Sequence, residues 1–289
     1  MDEHTAPRRD RREGSRRREW ARTAAVLAVL LVVLYPLLWM VGTSLKSHTE
    51  VNNNVGLLPH HVTWSNYHDG WFGLSVSFGH FFWNSTVIAT SVVAGNVVSC
   101  LLAAYAFARL RFPLRGMWFA VTIGTLLLPH HVLLIPQYIL FKHFGWINTP
   151  LPLIVPKFLA TEAFFVFLMV QFIRGIPTDL DAAAKIDGCG TLGVFRHVIL
   201  PLCRPALVTT AIFSFIWTWN DFLLQLIYLN GVDSFTVPVA LRVFLDSGGE
   251  NSVGPLFAMS LLSLLPVFLF FAAFQRLIVE GINTSGLKG

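Results

Sequence analysis

FFWNSTVIATSVVAGNVVSCLLAAYAF, residues 81–107, runs for 27 residues without an Asp, Glu, Lys or Arg. A hydrocarbon core about 30 Å thick is crossed by about 20 helical residues, so this stretch is long enough to span a membrane. Working outward, residues 24–41, 117–141, 151–173, 206–229 and 255–274 pass the same test. Only two of these segments carry Asp, Glu, Lys or Arg: Lys157 and Glu162 in 151–173, and Asp221 in 206–229. The whole chain is 54% hydrophobic and 13% charged, with a mean hydropathy of +0.61. A soluble globular protein carries about 25% charged residues, so this chain lacks the polar surface to cover itself in water. An ordinary soluble enzyme and a disordered chain are excluded. Cys100, Cys189 and Cys203 lack metal-ligand spacing and are too few for a disulfide framework. The expectation is an all-α, multi-pass membrane protein with six transmembrane helices.

The +5 net charge is local: eight of the 21 basic residues fall between Arg8 and Arg22. That placement fits a tail near anionic lipid better than a nucleic-acid groove. With both termini cytoplasmic, six spans put 17 basic residues inside and four outside (Lys46, Lys142, Lys157 and Arg242), as the positive-inside bias requires. The first segment is longer than the apolar core of a cleaved signal and lacks a small-residue cleavage pattern, so it reads as a retained anchor. The chain then divides into a basic tail (1–23), a first span (24–45), a polar, turn-rich external loop (46–80), a transmembrane domain (81–279) and a cytoplasmic tail (280–289). Trp64, Trp71 and Trp83 fall near the outer boundary and Trp20 and Trp118 near the inner one, where amphipathic rings prefer to lie.

Ionisable and amide side chains at membrane depth usually face a bundle interior or an aqueous cavity. Glu162, Asn220, Asp221 and Gln225 are therefore candidates for a substrate pathway, with Asn96 beside them. Interhelical hydrogen bonding is the competing reading for each. Lys157 and Glu162 are five residues apart, which is not a same-face spacing, so each is expected to find its partner on another helix. Pro129 and Pro136 predict a bend in the third span. Ala89, Ser91, Ala94, Gly95 and Ser99 permit close helix packing. The pairs His60-His61 and His130-His131 lack a third ligand at useful spacing, so no metal site is expected.

The longest expected cytoplasmic loop, 174–205, reads RGIPTDLDAAAKIDGCGTLGVFRHVILPLCRP. Pro177-Thr178-Asp179 makes a helix start, and 179–186 is a run of good helix formers. Gly188 and Gly190 interrupt it. A second helix from Thr191 places Leu192, Phe195 and Ile199 on one stripe, until Pro201 ends it. An amphipathic connector on the inner leaflet and a docking element for a soluble partner both fit this pattern.

The loop resembles the E-A-A-x-x-x-G motif of membrane-spanning subunits in ABC importers, followed by an apolar helix and a Pro-Leu-x-x-Pro ending. Ala183, Ala184, Asp187, Gly188, Phe195, Pro201, Leu202 and Pro205 fall on that pattern. Ala182 stands where the motif has glutamate, with Asp181 one residue earlier. PLLWMVGTSLK (36–46), NSTVIATSVVAGNVVSCLLAAYAFARLRF (84–112), LLLPHHVLLIPQYIL (126–140), Trp219-Asn220-Asp221-Phe222 and the GLKG terminus (286–289) are similar to carbohydrate importer permeases of the maltose type.

The resemblance implies a non-catalytic permease subunit in the cell membrane. It also implies a second permease, two ATP-binding subunits and an external substrate-binding protein as partners, with a sugar as cargo. ATP would be bound by the ATPase subunits, with no cofactor on this chain. The sequence agrees in having no G-x-x-x-x-G-K-[ST] phosphate cradle and no H-E-x-x-H or G-x-S-x-G pattern. In this reading Ala183, Ala184, Asp187, Gly188, Leu192, Phe195 and Pro201 form the surface through which the ATPases act. An importer of glycerol phosphate or another polyol is an alternative within the family, and an ion-coupled carrier is one outside it.

Overall fold

The computed structural model describes residues 9–53, 56–247 and 252–285. Part of the basic tail (1–8) and the GLKG terminus (286–289) lie outside the described residues. All regular structure among the described residues is helical. Glu19–Ser44, Phe78–Arg109, Leu151–Arg174 and Val253–Gln275 are each long and apolar enough to cross a membrane, and the number rises to six if each of two bent helix pairs is one span. The protein is therefore an all-α, multi-pass membrane protein.

Helix α1 (Arg9–Ser44) leads into the 46–80 segment, which carries two short helices, α2 (His48–Asn53) and α3 (Ser65–Phe72). Sequence reading gave this stretch only turns. Buried Asn66 organises it, donating to the carbonyls of Ser44 at 2.9 Å and Lys46 at 2.8 Å. The Lys46 ammonium donates to the Gly56 carbonyl.

Helix α4 (Phe78–Arg109) is the axis of the bundle. It stays unbroken for 32 residues, about 48 Å at the standard rise. It ends at Arg109, where Leu110 turns extended (ψ 151°), three residues before Pro113. Its small buried residues, Ala89, Gly95, Ser99 and Ala104, let neighbours approach closely. A Cβ on Gly95 would sit 2.9 Å from the Phe158 ring. One half of α4 packs with the 163–174 helix and the loop in a core that includes Cys100, Ala104, Phe165, Met169, Ile173 and Ile199. The other half packs with Phe215, Trp219, Phe244 and Met259.

Three expected spans are not continuous helices. Helices α5 (Arg115–Gly124) and α6 (His130–His143) are joined through a 3₁₀ turn and Pro129, with a bend of 106°. Pro136 lies inside α6 without ending it. In the fourth segment α7 (Leu151–Ile154) passes into a 3₁₀ turn containing Pro156. The helix is interrupted at Ala160 (φ +54°) before α8 (Ala163–Arg174) begins.

Beyond α8 lie the loop helices α9 (Thr178–Ile186), α10 (Thr191–Val194) and α11 (Leu200–Leu202). The fifth segment is α12 (Arg204–Asn220), which opens at Asp221 (ψ 111°) before the short α13 (Leu223–Tyr228). Then come α14 (Val237–Ser247), which sequence reading missed, and α15 (Val253–Ser285). The signal for α14 was available: Val237, Ala240 and Phe244 recur at helical spacing, and all three are buried.

Candidate functional site

Helix α9 ends in a glycine turn built from backbone hydrogen bonds. The Cys189 N–H donates to the Ala184 carbonyl at 2.9 Å and the Gly188 N–H to the Lys185 carbonyl at 3.0 Å, the paired pattern of a Schellman motif. Gly188 takes φ +86°, which a side-chain-bearing residue adopts only at a cost. Within α9, Ala183 is exposed and Ala184 packs toward the core, while Asp187 stands exposed at its end. Ile186 (87% exposed) and Leu192 (75% exposed) flank the turn as bare apolar side chains.

The second loop helix departs from expectation in two ways. Between α10 and α11 the chain widens into a π-turn over Phe195–Ile199. This turn shifts the helical phase, so Val194 and Ile199 are buried and Phe195 half-buried while Leu192 points outward. Pro201 is exposed and lies inside α11 rather than ending the helix. A Pro ring normally clashes with the carbonyl four residues back, and the widened turn relieves that contact. The break falls instead after Leu202, where the chain bends by 70° into α12.

The back of the loop is held by the end of α4. Arg109 Nε lies 2.8 Å from Asp181 Oδ2, with the two side chains only 8% and 12% exposed. Arg109 Nη2 also donates to the Ile176 carbonyl at 2.6 Å. The Tyr105 hydroxyl donates to the Thr191 carbonyl at 2.9 Å, and its ring packs against Phe195 with centroids 5.0 Å apart. Arg174 lies over the Phe119 ring at 5.0 Å. Sequence reasoning counted Arg109 only as a topogenic charge and treated Asp181 as a displaced motif acid. Their pairing needed the α4–α9 packing to become visible.

The polar residues at depth divide into two groups. Lys157 and Glu162 form an ion pair within their own segment, contrary to the expectation of partners on other helices. The five-residue spacing excludes a pair only on a continuous helix, and the interruption at Ala160, between the two residues, removes that restriction. Helix α4 flanks this break: Ser99 Oγ donates to the Lys157 carbonyl at 2.7 Å, and the Asn96 amide to Ser214 Oγ of α12 at 2.8 Å. Asp221 sits at the break of the fifth segment, accepting the Leu224 N–H at 3.2 Å, within electrostatic reach of Lys157. Asn220 is exposed and donates to the Ile216 carbonyl of its own helix. Gln225 is buried. Its amide donates to the Thr218 carbonyl, which also accepts the Asp221 N–H at 3.3 Å, and its oxygen accepts from the Thr236 hydroxyl. Among the described residues no three His, Cys, Asp or Glu side chains converge on a metal-sized site.

Discontinuous helices around a polar centre, with an amphipathic loop clamped at one end of the bundle, define a membrane transport subunit. Residues 95–283 match the family described as binding-protein-dependent transport system inner membrane component. The trehalose transport system permease protein SugB of Mycobacterium tuberculosis is 35% identical over 268 residues, covering 92% of this chain and 97% of SugB. The arabinooligosaccharides transport system permease protein AraQ of Halalkalibacterium halodurans is 31% identical, covering 93% and 96%. The diacetylchitobiose uptake system permease protein NgcG of Streptomyces coelicolor is 30% identical, covering 92% and 88%. A crystal structure of a bacterial ABC transporter involved in alginate import superposes with a TM-score of 0.78 at 21% identity, over 95% of this chain and 99% of that one, and so shares the fold. The chain belongs to the family of binding-protein-dependent transport system inner membrane components, as a permease subunit of an ABC importer.

Proposed function

We propose that the chain forms half of the translocation path for a sugar or oligosaccharide, crossing the membrane six times with both termini in the cytoplasm. The spans are α1, α4, α5 with α6, α7 with α8, α12 with the break at Asp221, and α15. Arg109, Arg111, Arg115, Arg174, Lys185, Arg196 and Arg204 then fall together at the loop-bearing end, which the positive-inside bias assigns to the cytoplasm. The domain boundaries drawn from sequence (1–23, 24–45, 46–80, 81–279 and 280–289) follow that topology.

The observation that carries the reading is the loop. Ile186 and Leu192 are exposed on either side of a rigid glycine turn whose reverse face is buried. Ala183, Asp187, Leu192 and Pro201 lie on the surface offered to an ATPase subunit, and Ala184, Gly188 and Phe195 fix its shape. A second permease completes the path, two ATPases drive it and an external binding protein delivers the cargo. ATPase closure moves the loop as a lever and switches the access of the polar centre. This works only if the ATPases grip the loop differently in their two states. Glu162, Asn220 and Asp221 face the cargo, and Gln225 holds the backbone that presents them.

Trehalose, arabinooligosaccharide and diacetylchitobiose permeases among the relatives favour a sugar over glycerol phosphate or another polyol. The test is uptake by proteoliposomes holding the full complex, offered radiolabelled trehalose, diacetylchitobiose and glycerol 3-phosphate with its binding protein. ATP-dependent sugar uptake, blocked by vanadate and indifferent to a proton ionophore, is the expected result. Uptake driven by a proton or sodium gradient without ATP would contradict the proposal.

A further inference from the structure

We propose that Arg109 and Tyr105, which contact neither nucleotide nor cargo, are positioning residues that carry the loop's movement into the polar centre through α4. The inference rests on the loop being the ATPase docking element. The two spans joined to the loop by the chain are poor shafts. Helix α8 reaches it through the non-helical stretch 175–177, and α12 departs from it across the 70° bend at Cys203. A bend dissipates torque that a continuous helix transmits.

Helix α4 has no such break, and it grips both loop helices from one face. Residues 105 and 109 are one helical turn apart and point the same way. Arg109 takes α9 through Asp181 and the Ile176 carbonyl, and Tyr105 takes the second helix through the Thr191 carbonyl and the Phe195 ring. Arg109 is the only ion-pair partner of Asp181 among the described residues, and Asp181 Oδ1 makes no hydrogen bond there. Arg109 is therefore the charged link between α4 and α9. About two turns along the same helix, Ser99 bonds the break at Lys157 and Asn96 bonds Ser214 of α12. A rotation of α4 driven from the loop thus reaches two of the three discontinuous spans, the fourth and the fifth, directly. Contact alone does not establish coupling, so the test must measure the two ends together.

The complex with its ATPases is purified with Cys100, Cys189 and Cys203 replaced by alanine and Asn220→Cys as a reporter beside the fifth-span break. Labelling of the reporter by a small maleimide is timed with and without ATP and vanadate. In this background trapping should change the labelling rate by about 5-fold or more, within the ordinary range of allosteric coupling. In Arg109→Gln the change should fall below about 2-fold while vanadate still arrests ATP hydrolysis, and Arg109→Lys should restore part of it. A residue that only stabilised the fold would lower hydrolysis and labelling together. Should Arg109→Gln fail to assemble, Tyr105→Phe carries the test, because it deletes one hydroxyl and keeps the ring. Loss of at least half of the change supports the proposal. An undiminished change in the assembled variants overturns it and leaves the docking reading intact. No vanadate response in the background chain overturns both.

Discussion

At Gly188 a side chain would meet open space, with no atom within 4 Å of a built Cβ, yet the backbone holds φ +86°. Any penalty for substitution is therefore conformational, about 1–2 kcal/mol for an ordinary L-residue in the left-handed region and less for asparagine. Gly188→Asn should keep most of the uptake. Gly188→Val should reach the membrane in normal amounts yet lose transport, because the turn that aims Ile186 and Leu192 opens. Membrane immunoblots paired with uptake assays separate the two effects, and normal transport by the valine variant would count against the lever.

A second residue-level device lies in the 46–80 segment. Glu50 accepts the His60 backbone N–H at 2.6 Å and meets the His60 ring at 2.8 Å. The backbone donor leads in holding the Glu50 carboxyl below the usual carboxylate range. A depressed carboxylate stabilises the folded loop above its unfolded pKa of about 4.3, and that contribution is lost as pH falls through the lower folded value. Limited proteolysis between Lys46 and Thr63 should therefore be slow at neutral pH and rise only in acid below about pH 4. Glu50→Gln should flatten that acid rise.

Among the elements, the broken spans separate what the sequence disclosed from what it did not. Their apolar length was readable, because a run of about 20 uncharged residues has few uses outside a bilayer. The bend of the third span was readable in Pro129, but the interruptions of the fourth and fifth were not, because hydropathy measures composition and is blind to a single φ of opposite sign such as that of Ala160. Lys157 and Glu162 were conspicuous as charges, but the spacing rule that separated them presumes an unbroken helix. Asp221 was likewise visible as a residue and invisible as the end of α12. Gln225 looked like a sugar ligand, and its buried bonds to Thr218 and Thr236 show how a chain break consumes amides. The glycine turn of the loop was legible outright, because Gly188 follows good helix formers at the position where a Schellman turn needs it.

These element-level differences set one expectation. Asp221→Ala should leave the complex assembled but change uptake or sugar preference, since Asp221 is a polar group at the break. Asp221→Asn should act more mildly, because its side-chain oxygen can still accept the Leu224 N–H. Competition between trehalose and diacetylchitobiose in proteoliposomes reads the preference. A variant that fails only in assembly would assign Asp221 to structure alone.

For the whole molecule, α4 joins two regions of different character: a cap built on Asn66, α3 and α14 at one end, and a basic loop-bearing end closed by Arg109 and Asp181 at the other. Leaving either member of a buried ion pair without its partner costs about 3–5 kcal/mol, which is the penalty expected for replacing Arg109 or Asp181 alone. The exposed faces of α5, α6 and residues 24–41 of α1 are largely apolar, as contact with lipid requires. The most direct test of this division of labour is cross-linking from the loop to the ATPase. With Leu192→Cys in the purified complex, a short bis-maleimide should join this chain to the nucleotide-binding subunit, with a yield that changes when ATP and vanadate are added. Absence of that adduct, together with uptake sustained by an ion gradient alone, would contradict it.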